Sequence, residues 1–237
     1  MAQESEAPKN RKRALVVVAH PDDPEFLFGA AIAKLVEEGT QVSYLVCSDG
    51  ANGSRDVAIP AKEVAAMRSA EQKAAAAVLG VSEVEFLGFP DGRMQASLEL
   101  RLGIARAIRR SRPQLVITHF PHRVLDIPIE ASHPDHMAVG EATLAAIFPD
   151  AVNVRSYPEL QREGLEPHRV KEIWLAGYER PNHGVDATPY LEKKIKAICA
   201  HKSQVGTSAP PWVYEWMKRS GARIGYDYGE EYKRIQL

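Results

Sequence analysis

The run Ala14-Leu15-Val16-Val17-Val18-Ala19 constrains this chain most, because it is apolar without alternation. A strand with one wet face alternates polar and apolar residues. A strand covered on both faces does not, and such strands belong to parallel sheets sandwiched between helices. A helical pattern follows over residues 26–38, where Phe28, Ile32, Leu35 and Val36 recur near helical spacing and Gly39 supplies a stop. The strand, loop, helix unit then repeats. Residues 41–47 predict a second strand, 48–60 a Gly/Asn/Ser/Asp loop, 62–79 an Ala-rich helix closed by Gly80, and 84–87 a third strand. Gly88-Phe89-Pro90-Asp91-Gly92 is turn chemistry, 98–110 a helix, and 114–119 a fourth strand after Pro113 has ended that helix. Alternation of this kind requires right-handed crossovers, so the expected fold is α/β, a Rossmann-like three-layer sandwich with a mostly parallel sheet.

Beyond His119 the pattern is weaker: an irregular stretch to about residue 132, a helix over 134–148, a strand near 173–176 and a helix over 189–200. Residues 1–12 are expected to be a disordered leader and 13–237 a single domain, with about 205–237 as a C-terminal elaboration.

Charge narrows the partner. With 30 basic and 31 acidic side chains and a net charge of -1, the chain has no broad attraction for nucleic acid or anionic lipid. Every apolar run is interrupted well before the ~18 residues of a membrane span. Cys47 and Cys199 are the only cysteines, too few for a disulfide framework, and Met1 to Arg13 lacks the apolar stretch of a secretory signal. A cytoplasmic protein with a small-molecule partner is expected.

Ligands of open parallel sheets collect at the carboxyl ends of the strands, where strand order reverses. The first strand ends there in Ala19-His20-Pro21-Asp22-Asp23-Pro24-Glu25, one imidazole and three carboxylates. A dinucleotide would need Gly-x-Gly-x-x-Gly instead, since carboxylates repel a pyrophosphate. Imidazole and carboxylate together suit a borderline metal such as zinc, although Asp22 or Asp23 could equally cap the next helix. A second cluster, Ser132-His133-Pro134-Asp135-His136, opens the helix after the fourth strand. Two such loops at one sheet edge are harder to explain as caps.

Together these residues resemble the PIG-L/LmbE family of zinc-dependent deacetylases, which act on N-acetylglucosamine-type amides. His20-Pro21-Asp22-Asp23 with Glu25 is similar to the family's first signature and His133-Pro134-Asp135-His136 to its second. Arg68-x-x-Glu71 with Ala74, Ala75 and Leu79-Gly80, the turn Leu87 to Gly92, and His201-Lys202-Ser203-Gln204 extend the likeness over about residues 14–205. The chain departs at Gly29-Ala30, where the family often has two glycines.

The resemblance implies one zinc ion per chain, or another divalent metal such as Fe2+, held by His20, Asp23 and His136. It implies Asp22 as general base, His133 as the imidazolium that stabilises the oxyanion or protonates the amine, and Asp135 as the group that orients His133. Arg68 is implied to contact the distal part of the substrate, and Arg55 and Asp91 are further substrate contacts on neighbouring loops. Glu25 is a secondary candidate whose alternative is a helix N-terminal acid. His119 faces the crevice but is not needed to complete the ligands, and His201 is read as packing. Cys47 is read as buried packing, and Trp212 to Trp216 as a subunit contact or pocket rim. The implied reaction is hydrolysis of a sugar acetamide to amine and acetate. A related amidase acting on a sugar-thiol conjugate and a non-catalytic metal-binding module are the alternatives, and a homo-oligomer is expected. A non-haem iron oxygenase would share the ligand types, but those enzymes are all-β and this pattern is not.

Overall fold

A computed structural model describes residues 12–237. Except for Lys12, the expected leader lies outside the described residues. The chain runs β1 (Arg13–Val18), α1 (Asp23–Glu37), β2 (Gln41–Ser48), α2 (Ala61–Leu79), β3 (Glu83–Phe89), α3 (Leu98–Ser111), β4 (Leu115–Thr118) and α4 (Pro134–Ala145). It continues through α5 (Pro158–Arg162), β5 (Glu172–Ala176), β6 (His183–Asp186), α6 (Leu191–Ile198), α7 (Lys202–Val205), α8 (Pro211–Ile224) and β7 (Gly229–Gln236). All seven strands join one sheet in the order β3-β2-β1-β4-β5-β7-β6. The first five pair in parallel, and β7 is antiparallel to both β5 and β6.

The unbroken apolar run of β1 is explained by its place in that sheet. Ala14, Val16 and Val18 pack with Phe28 and Ile32 of α1 and Ala76 and Leu79 of α2 on one face. Leu15, Val17 and Ala19 pack on the other face with Leu100 and Ile104 of α3 and Val139 and Ala142 of α4. The three layers expected from the sequence are present, and strand order reverses between β1 and β4, so their carboxyl ends open on one crevice.

Local signals set most boundaries. Gly80, with φ 89°, closes α2 in the left-handed conformation. Ser97 caps α3 by accepting a hydrogen bond from the Leu100 amide at 3.2 Å. Ser97→Ala should therefore destabilise the protein by about 1 kcal/mol, read as a lower denaturant midpoint at unchanged slope.

The expected helix over 134–148 ends early. α4 stops at Ala145 and a wide turn spans Ala146–Asp150, because Pro149 forces Phe148 out of helical geometry to φ -145°, ψ 124°. The fourth strand likewise stops at Thr118 rather than His119, and a 3-10 turn over Thr188–Tyr190 precedes α6, which begins at Leu191.

The C-terminal elaboration is a helix and a sheet strand. β7 reads Gly-Glu-Glu-Tyr-Lys-Arg-Ile-Gln, and its inward residues Glu230 and Tyr232 are buried. Glu230 pairs with buried Lys194 at 2.6 Å and accepts from the Ala30 and Ala31 amides and the Tyr232 hydroxyl. Lys194 also donates to the Phe26 carbonyl at 2.7 Å. Glycine at position 29 makes room for this, since a Cβ there would stand 2.9 Å from Lys194 Cγ. The departure itself is Ala30, which is buried in one cluster with Ile198 of α6 and Val213 and Met217 of α8.

Candidate active site

β1 delivers His20 to Asp23 into the crevice, and the start of α4 delivers His133 to His136 opposite them. The atoms that meet are His20 Nδ1 and His136 Nε2, 3.3 Å apart, with Asp23 Oδ1 3.1 Å from His136 Nε2 and Asp23 Oδ2 3.5 Å from His20 Nδ1. His20 Nε2 points away, toward Asp91 Oδ1 at 3.2 Å and Asp135 Oδ2 at 3.3 Å. Both carboxylates can only accept, so the proton sits on Nε2 and the Nδ1 lone pair faces the centre. His136 is oriented the same way, with Nδ1 toward the Ala131 carbonyl at 3.5 Å and Nε2 inward.

Two ring nitrogens and the two oxygens of one carboxylate therefore face one another, a donor set that a dication would bridge. Their spacing fits as well. Ligands held at ~2.1 Å in a tetrahedron stand about 3.4 Å apart. The two ring nitrogens are 3.3 Å apart, and each faces one Asp23 oxygen, Oδ1 at 3.1 Å from His136 and Oδ2 at 3.5 Å from His20. The electrostatics show what a dication would displace. Burial pushes the His20 pKa down, but hydrogen bonds with Asp135, Asp23 and Asp91 outweigh it and hold it well above the ordinary value, so a metal there would bind in competition with a proton on Nδ1. Burial raises Asp23, yet the neighbouring His136 holds it well below the usual carboxylate range.

Two other histidines lie within reach of such a centre, in the sets Asp23/His119/His136 and His20/His133/His136. His119 Nε2 accepts the Ala19 amide at 3.0 Å, so its lone pair is occupied. Burial and His136 lower its pKa to about 4, which keeps the ring neutral. His133 Nδ1 accepts the Asp135 amide at 3.2 Å, which leaves the proton on Nε2. His133 is thus a hydrogen-bond donor, suited to an oxyanion rather than to a metal.

Asp22 stands beside the three donors and outside the centre. Its side chain is 18% exposed, and Oδ2 accepts from Arg68 Nη2 at 3.1 Å. Burial, opposed by Arg68 and aided by Asp23, pushes its pKa up to about 6. Its backbone has φ 101°, a conformation that costs a non-glycine residue about 1–3 kcal/mol and is found where surroundings impose it.

An open cleft of ≈ 350 Å³ lies over this group, lined by His20, Asp22, Asp23, Asn52, Gly53, Arg68, Asp91, Glu130, His133 and His136. A larger concavity of ≈ 640 Å³ at the amino ends of the strands includes none of the expected site residues.

Five expectations change. The Asp135 carboxylate does not reach His133, whose Nδ1 meets the Asp135 backbone amide instead: the carboxylate is fully buried behind His20 and accepts from the Gly92 and Met94 amides. His133 is not held as an imidazolium, because burial and the neighbouring His20 and His136 rings lower its pKa. Arg68 lines the cleft, but its guanidinium is buried and spent on the Gly50 carbonyl at 2.9 Å, the Pro21 carbonyl at 2.6 Å and Asp22. A Cβ at Gly53 would stand 2.5 Å from Arg68 Nη1, so glycine there gives the guanidinium its space. Asp91 faces His20 and Arg68 rather than open solvent. Arg55 is exposed and lies outside the cleft lining.

Gln72 carries no signal in the reading above, whereas Glu25 was a secondary candidate there and His201 was read as packing. Gln72 donates to both oxygens of Glu25 at 3.0 Å and accepts the Asp22 amide at 2.8 Å, and His201 Nε2 is 3.0 Å from Glu25. The spacing of Gln72 four residues after Arg68 could have placed it on the same helix face.

A sequence model of the PIG-L family, described as GlcNAc-PI de-N-acetylase, matches residues 15–147. The chain belongs to the PIG-L family. It is 32% identical to the diacetylchitobiose deacetylase of Thermococcus kodakarensis over 92% of this chain and 78% of that protein. It is 28% identical to the 1D-myo-inositol 2-acetamido-2-deoxy-alpha-D-glucopyranoside deacetylase of Actinosynnema mirum, over 81% of each chain. The structure of the N,N'-diacetylchitobiose deacetylase from Pyrococcus horikoshii superposes with a TM-score of 0.87 at 29% identity, covering 96% of this chain and 85% of that one. Both histidine clusters lie inside the matched PIG-L segment, while His201 and β7 lie beyond it.

Proposed function

We propose that this PIG-L protein is a metal-dependent hydrolase that deacetylates an N-acetylglucosamine-type sugar. The observation that carries the reading is the convergence of His20 Nδ1, Asp23 and His136 Nε2 at 3.1–3.5 Å, with Asp22 and His133 on the same cleft. Zinc is the metal the donor set favours, and a divalent ion there supplies Lewis-acid polarisation of the carbonyl and acidification of water.

The chain's own residues do the rest. Asp22, held by Arg68, takes a proton from the attacking water as its oxygen bonds to the acetyl carbon. His133 donates its Nε2 proton in a hydrogen bond to the developing oxyanion. The tetrahedral carbon then expels nitrogen, Asp22 returns the proton to it, and the C–N bond breaks to give a free amine and acetate. Asp91 and Asp135 fix the His20 ring from behind, the usual service of carboxylates next to a ligating imidazole. Asn52 and Glu130 on the cleft wall offer a donor and acceptors to sugar hydroxyls.

The size of the cleft fits a small substrate. The cleft volume of ≈ 350 Å³ is at the small end of ligand sites, which run to about 300–1,000 Å³. Among the described residues no helix is long and apolar enough to cross a membrane. A single domain over 13–237, a homo-oligomer and a cytoplasmic setting complete the reading, with a small molecule rather than nucleic acid or membrane as the expected partner.

The test is a panel. Zinc-loaded protein should release primary amine and equimolar acetate from diacetylchitobiose or from a glucosaminyl inositol or malate acetamide, and lose that activity on chelation. Amine without acetate from a sugar-thiol conjugate would make the protein an amidase instead. No amine from any member would leave a non-catalytic metal-binding module.

A further inference from the structure

Asp22 is clamped at every polar group. Its carboxylate is held by Arg68, its carbonyl accepts the Glu25 and Phe26 amides at 3.1 Å each, and its amide donates to Gln72 Oε1 at 2.8 Å. The last contact is fixed from a distance. Glu25 can only accept while ionised, so the Gln72 NH2 must face it, at 3.0 Å from both carboxylate oxygens. That choice turns Gln72 Oε1 toward the Asp22 amide. Glu25 in turn is held by His201 Nε2 at 3.0 Å, from the short segment between α6 and α7. Glu25, Gln72 and His201 are each 0% exposed.

We propose that Glu25, Gln72 and His201 form a buried positioning relay that holds Asp22 in its strained backbone conformation, with its carboxylate at the cleft. The inference rests on the reading of Asp22 as the base. None of the three touches the cleft, so each acts through Asp22. The polarity of the relay runs one way: His201 fixes the Glu25 carboxylate, Glu25 fixes the orientation of the Gln72 amide, and Gln72 fixes the peptide that carries Asp22. The three residues come from α1, α2 and the C-terminal third of the chain. The relay thereby makes the C-terminal segment, which contributes nothing to the cleft lining, necessary to the geometry of the site.

The central variant is Gln72→Met, which keeps the volume and removes both hydrogen bonds. Its kcat should fall about 10- to 100-fold, the usual cost of losing a supporting hydrogen bond behind a site residue, with parental metal content. KM should stay within about threefold, because no substrate contact is removed. Exchange of the Asp22 amide proton with solvent, followed by NMR on the metal-loaded protein, should accelerate. In an Asp22→Ala background the same change should cost nothing further, since the group through which it acts is gone. Parental kcat in Gln72→Met, or an equal loss in the Asp22→Ala background, would overturn the relay. Should Gln72→Met not fold, Glu25→Gln and Glu25→Met decide. The Gln side chain can present an oxygen to Gln72 and an NH2 to His201, so it should regain at least about tenfold in kcat over Met. Equal rates in the two would overturn the relay. Parental deacetylation by Asp22→Ala itself would remove the base assignment, a failure separate from either result.

Discussion

Replacing Asp22 by Ala lowers amine release by about 10²–10⁴-fold, the range a positioned general base contributes, while the protein keeps its metal. The separation of the two outcomes follows from geometry. His20, Asp23 and His136 converge without Asp22, whose carboxylate is turned to Arg68 and the cleft. Removing it leaves the donors in place and deprives the water of its proton acceptor. Asp22→Asn makes the test stricter. Asn tolerates positive φ about as well as Asp, so the backbone at φ 101° is undisturbed, and the amide cannot take a proton. Asn and Ala should therefore fall by the same order. Metal content by mass spectrometry and initial rates on diacetylchitobiose would check both, and a parental rate in either variant would show that another group accepts the proton.

The two histidine clusters were legible because each is local. Four or five consecutive residues carry the chemistry, and the continuous run of β1 and the apolar pattern after it say which end of the sheet holds them. What was not legible depends on distance. Glu25 finds His201 across 176 positions and Gln72 across 47, and no local pattern announces a buried polar pair of that kind. Arg68 shows why residue type alone misleads. The family resemblance implied a substrate contact for it, but the carbonyls of Gly50 and Pro21 use the guanidinium, and only the folded loops reveal them. The Asp135 carboxylate was assigned to its sequence neighbour His133, whereas the helix start turns it toward His20. β7 escaped because its inward side is polar. Glu230 and Tyr232 are buried there by pairing with Lys194 and the α1 amides, so the strand lacks the hydrophobic alternation that would mark it.

His136→Ala should lose the metal, and with it all measurable deacetylation. Even outer partners of a ligand cost about 10–100-fold in metal affinity when removed, so loss of a donor should exceed about 100-fold. The nearest substitutes are disqualified by what they already bind. His119 has its Nε2 lone pair on the Ala19 amide, and His133 has its Nδ1 lone pair on the Asp135 amide. Neither can ligate without breaking a bond that a backbone amide would then miss. His119→Ala is the control that separates the candidate sets. If His20, Asp23 and His136 are the donors, His119→Ala keeps metal at parental stoichiometry whereas His20→Ala does not. If Asp23, His119 and His136 were the donors, the two results would exchange. Equilibrium dialysis against zinc for the three variants reads this directly, and retention of metal by His136→Ala would rule out both of these sets, since each requires His136.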